Sequence, residues 1–183
     1  LWQSYRNHLP ECEAIERRAQ SLDCEDVCKE TIDRYKNAVE TGLFEDNTDN
    51  ARIARSMLNN ELVDLKFFLA SVKKLRAGRK LCAMGGGAHI NDLEERLKEQ
   101  GYECVERFGG GSYGIEKEED GIKKRIYFIN PVMPSQIRNL GKWPVIVHPH
   151  ANKSSVYFSP LAHTLSKRTL FGNSKPLLSY KRD

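Results

Sequence analysis

The stretch "ARIARSMLNNELVDLKFFLASVKKLRAG" constrains this chain more than any other, because Leu58, Leu62, Leu65, Leu69 and Val72 recur at alternating spacings of four and three. That spacing draws one apolar stripe along a helix and demands a partner surface. Lys73, Lys74 and Arg76 complement the negative end of the helix dipole, and Gly78 stops the helix. The stripe makes about two heptads, short of the three or four of a sustained coiled coil. Packing onto a preceding helix is therefore expected, with a homo-oligomer seam along the 49–77 helix as the alternative.

The preceding sequence offers that partner. Pro10 suits a first helical turn in "NHLPECEAIERRAQ", Ser21 and Asp23 interrupt, and Asp23 is positioned to cap a second helix running to about Gly42. Three cysteines of this region, Cys12, Cys24 and Cys28, with His8 nearby, have a spacing that would admit one zinc ion. The competing reading is of buried free thiols on two packed helices. No nucleotide-cofactor fingerprint is present; apart from zinc here, His148 and His150 could bind a transition metal with a ligand from elsewhere, though no nearby carboxylate completes a site by spacing. Five cysteines, an odd number, in a chain of 183 residues suit free thiols and an intracellular setting, cytoplasm or nucleus. No apolar run reaches the roughly 20 residues that cross a bilayer as a helix, so no membrane partner is expected.

A change of period follows. "RKLCAMGGGAHIN" predicts a short strand from Lys80 to Met84, then three glycines, then a helix from Asp92 capped by Asn91. Strand, glycines and helix together resemble a phosphate cradle, but no Lys-Ser or Lys-Thr follows, and Asp92, Glu94 and Glu95 would oppose an anion. A linker is the favoured reading of the glycines. Beyond it, "YECVERF" reads as a strand, and "IEKE", the turn "EDG" and "IKKRIYFIN" read as a hairpin. The fold class is α+β: an N-terminal helical region over 1–79, a small domain with a mainly antiparallel sheet over 80–165, and a basic arm over 166–183.

The stretch "LEERLKEQGYECVERFGGGSYGIEKEEDGIKKRIYF" resembles the helix and three strands of the small HicA-type RNA-cleaving toxins. Those toxins carry a catalytic histidine just after the Gly-Ser pair, where this chain has Tyr113 and Gly114 after Ser112. The resemblance implies a small RNA-binding shape and no transferred catalytic residue.

Charge is distributed unevenly. Residues 1–80 carry 14 cations and 14 acids, residues 81–120 carry 4 and 10, and residues 121–183 carry 11 and 1. One-signed surfaces attract polyanions. The bland alternative is that the basic third neutralises the acidic segment before it. Candidate nucleic-acid contacts are Lys123, Lys124, Arg125, Tyr127, Arg138, Lys153, Lys167, Arg168 and Lys175, where cations interleave with aromatic residues as stacking on single strands requires. The expected function is nucleic-acid binding, with RNA the expected partner.

Within that third, "WPVIVHPHANKSSVYFSP" predicts an edge hairpin with Val145, Val147, Val156 and Phe158 on the buried face. His148, His150, Ser155 and Tyr157 then share the open face, with Lys153 at the tip. This is the enzymatic alternative: a metal-independent nuclease using His148 and His150 as base and acid, Lys153 for charge and Tyr157 for phosphate or base. A third alternative is a non-enzymatic assembly subunit.

Overall fold

The computed structural model describes residues 8–78, 80–107, 113–129 and 144–149. The chain divides into two compact units, residues 1–72 and 73–183, with the boundary inside the long helix. Among the described residues there are four helices and one five-stranded sheet, an α+β architecture with its helical region first.

The first unit is built from α1 (His8–Gln20), α2 (Glu25–Glu40) and the greater part of α3 (Asp49–Ala77). Leu62, Leu65, Leu69 and Val72 are buried, as the stripe requires, while Leu58 at its start is only half-buried. Packing is intramolecular: Arg34 of α2 pairs with Glu61 of α3 at 2.9 Å, Lys66 of α3 pairs with Glu11 of α1, and Lys36 donates to Glu16 at 2.6 Å. Phe67, Phe68 and Ser71 are buried too, so this part of α3 is covered on more than the stripe. Ile53 and Met57, nearer its start, remain more than half exposed.

One local expectation for this unit is corrected. Asp23 does not cap α2. It takes a left-handed φ of 46° in the turn, and Cys24 occupies the cap position without a capping side chain. A short polar side chain tolerates that φ, which lets the chain reverse between α1 and α2.

The second unit holds β1 (Lys80–Met84), α4 (Gly87–Glu99), β2 (Glu103–Arg107), β3 (Tyr113–Glu119), β4 (Ile122–Ile129) and β5 (Val145–Val147). The sheet order is β2, β3, β4, β1, β5. Antiparallel pairing joins β2 to β3 and β3 to β4, and parallel pairing joins β4 to β1 and β1 to β5. The antiparallel ladders hold the greater share of paired residues, so the sheet is mixed but mainly antiparallel. The second local correction lies here: α4 begins at Gly87, five residues before Asp92, with Gly86 as its cap.

The hairpin of β3 and β4 follows from two residues. Asp120 and Gly121 have φ of 54° and 71°, the paired left-handed values of a turn that matches strand twist. Glu119 therefore faces Ile122, and the register runs on to Ile115 against Ile126 and Tyr113 against Phe128. Ile115, Ile126 and Phe128 are buried on one face, and Leu81 and Ala83 of β1 continue it through their pairing with Ile126 and Phe128. Along α4, Ile90, Leu93 and Leu97 fall at helical spacing and are buried. β1 is buried at four of its five positions and β5 at all three, the pattern of strands covered on both faces. No helix among the described residues is long and apolar enough to cross a membrane.

Candidate functional site

The carboxyl ends of β1 and β5 lie side by side, because Met84 pairs with Val147 in a parallel ladder. Ligands of open parallel sheets bind outside such ends. One residue further along each strand stand Gly85 and His148, and the His148 backbone N–H donates to the Met84 carbonyl at 2.8 Å. A Cβ built on Gly85 would lie 3.1 Å from the His148 Cβ and 3.4 Å from Ile90 Cδ1, so the bare glycine lets the two strand ends close up without displacing either neighbour. Gly86 then caps α4, and the helix turns back at once.

That immediate return places His89 in the first turn of α4, against His148. The two imidazoles stack with centroids 3.9 Å apart and planes 12° from parallel, and ring nitrogens of the pair lie within 4.8 Å of one another. His148 is fully buried, and His89 is partly exposed. The first turn of α4 contains no acidic residue, so the carboxylates that the later start would have put beside the glycines sit further along the helix. Among the described residues of the second unit, these are the ones placed to hold a metal ion together.

The expectation that His148 shares an open hairpin face is corrected. His148 ends a strand buried on both sides, and Ile146, assigned to no face by the period, is as buried as Val145 and Val147. β5 does lie at an edge of the described sheet, in keeping with Pro149 directly after it. His150, Lys153 and Tyr157, the other catalytic candidates, lie outside the described residues.

The nucleic-acid candidates on β4 are engaged elsewhere. Cross-strand register sets Glu116 against Arg125 and Glu118 against Lys123. Arg125 donates to Glu116 through Nε at 2.7 Å and pairs with it again through Nη2 at 2.5 Å, Lys123 reaches Glu116 at 3.4 Å, and Lys124 is bonded to Glu119. Burial acts to raise the Glu116 carboxyl, but hydrogen bonds from Arg125 and Lys123 outweigh it and hold the group below its ordinary 4.5. The hydrogen bond from Lys124 likewise holds Glu119 below that value.

Tyr127 is buried rather than presented for stacking. A Cβ on Gly114 would come within 2.8 Å of its ring, so the tyrosine lies across the bare glycine, and Arg125 donates to its hydroxyl at 3.2 Å. Arg138, Lys153, Lys167, Arg168 and Lys175 lie outside the described residues.

Cys12, Cys24 and Cys28 are all buried. Burial pushes the Cys12 thiol up to about 11, and the Cys24 thiol donates to the Leu22 carbonyl at 3.0 Å. The side chain of His8 is outside the description. A groove of about 450 Å³ between α1 and α2 is lined by Glu13, Arg17, Lys29 and Asp33 among others, charges of both signs and no nucleophile beyond Cys28.

Sequence reasoning passed over His89, although it stands five residues from a correctly placed strand end. The signal available was "GGGAH" itself: glycines that end a strand and open a helix put the next side chains at the strand's carboxyl end. Searches against protein-family models, curated proteins and solved structures find no match to this chain. In the second unit α4 is followed by three antiparallel strands, β2, β3 and β4, embedded in a wider sheet by parallel β1 and β5.

Proposed function

We propose that this chain binds nucleic acid, RNA in the first place, through the cations that follow β4 rather than through β4 itself. The observation that carries the reading is the matching of charge in the hairpin. Glu116 and Glu119 answer Lys123, Lys124 and Arg125, while the eight cations of residues 130–183 share their stretch with Asp183 as the sole acid. Cations without acids in their own stretch attract phosphates, release counterions on binding and weaken as salt rises.

The test uses the full chain with end-labelled single-stranded RNA over a salt series, read on native gels for retention and on denaturing gels for length. Retention of full-length RNA that fades with salt supports the reading. Replacing Lys167, Arg168 and Lys175 together by Ala is expected to flatten the logarithmic salt dependence by about two, at roughly 0.7 per phosphate contact. The triple Ala variant of Lys123, Lys124 and Arg125 is expected to leave it unchanged. Shortened RNA that disappears with His150→Ala would support the nuclease alternative instead. Absence of retention at low salt would remove both.

A further inference from the structure

We infer that His89 and His148 form a binding site for a divalent transition-metal ion of the zinc, nickel or copper kind. The site is independent of the nucleic-acid reading. Imidazole nitrogen is the ligand these ions share, and two histidines from different elements meet here with ring nitrogens within 4.8 Å. Two imidazoles each about 2.0–2.1 Å from one ion place their nitrogens roughly 3.3 Å apart, so the separation is within reach of a side-chain rotation.

The surroundings say which ring turns. His148 is fixed: it is fully buried, its backbone is tied to Met84, and its Cβ packs over Gly85. His89 is partly exposed on the first turn of α4, beside Gly86, which adds no side chain to the space around it, and Gly87, where a Cβ would meet nothing within 4 Å. In the stacked pair the planes are 12° from parallel, and nitrogen lone pairs lie in the ring planes, so they do not converge on one point. Metal binding therefore unstacks the pair by swinging His89, with His148 as the fixed ligand. Water or a substrate oxygen fills the other coordination positions, leaving the ion open on the side of the carboxyl strand ends.

The experiment is a titration of the purified, metal-stripped full chain with Co²⁺, read by its visible d–d absorption and by back-competition with Zn²⁺. One equivalent of Co²⁺, displaced by Zn²⁺ and lacking a thiolate charge-transfer band, is expected. Loss of an outer-shell partner typically costs a metal site 10–100-fold, so His89→Gln, which loses a ligand, is expected to weaken binding by at least about tenfold. Its partly exposed position keeps the test intact where His148→Gln fails to fold. His150→Ala and a Cys12, Cys24, Cys28 triple Ser variant are expected to bind as the parent does. The inference is overturned by no binding in the parent, by undiminished binding in His89→Gln, or by a thiolate band that vanishes in the triple Ser variant.

Discussion

The second unit contains two polar clusters built on opposite principles. The hairpin of β3 and β4 carries an open ladder of opposed charges, Glu116 and Glu119 against Lys123, Lys124 and Arg125. The junction of β1 and α4 carries two stacked imidazoles, one of them fully buried, held where a glycine lets strand ends touch. Ladder partners are at most nine residues apart in the chain, and the histidines are separated by most of the sheet. A local register thus silences a charge run that looked like a binding surface, while a distant one assembles a cluster from residues that looked unrelated. Counting charges along a chain says little about which remain available until strand partners are known.

The comparison predicts unequal sensitivities. The hairpin is held by its buried face, so Ile126→Ala is expected to lose about 2–5 kcal/mol in urea unfolding, because the side chain is fully buried and leaves a cavity. A loss well under 1 kcal/mol would mean that the ion ladder carries the hairpin after all. At the junction, Gly85→Val drives methyl groups into the His148 Cβ and Ile90, and is expected to cost about 1–3 kcal/mol by overpacking. Should the variant prove as stable as the parent, the strand ends are not in contact.

The smallest effect belongs to the ladder. A double-mutant cycle on Glu116 and Arg125 is expected to give a coupling of about 1 kcal/mol or less, since the arginine is a third exposed and water screens the pair. Its sign with pH is defined. The Glu116 carboxyl is held below its ordinary 4.5 in the fold, so its ionised form stabilises above that value, and the contribution is lost as pH falls from 4.5 through the folded value. Urea unfolding from pH 7 down to pH 3 (about 4 units) should therefore show a steeper acid loss for the parent than for Glu116→Gln. Parallel curves for the two proteins would refute the pairing.

The amino-acid sequence by itself determined the features that depend on neighbours a few residues away. The four-and-three spacing of Leu62, Leu65, Leu69 and Val72 specified a helix and its buried stripe. "KLCAM" specified β1 to the residue, and the turn "EDG" between two strand-like runs specified the hairpin, though its register, with Glu119 already paired to Ile122, was left to the structure. Each follows from backbone period or from the φ that a residue tolerates, and both are local properties. Only the tertiary structure decided the sheet order, the placement of Tyr127 across Gly114, the engagement of β4 by acids, and the meeting of His89 with His148. The start of α4 at Gly87 was also beyond local reading, because glycine is a poor helix former in isolation and begins one here at the end of a buried strand. The sheet order and the meeting of His89 with His148 depend on the parallel pairing of β1 with β4 and β5, contacts between residues tens of positions apart, whereas the fates of Tyr127 and of the β4 cations depend on the β3–β4 register. Such contacts leave no period in the chain, and β1 and β5, buried on both faces, offer no alternation from which their register could be read.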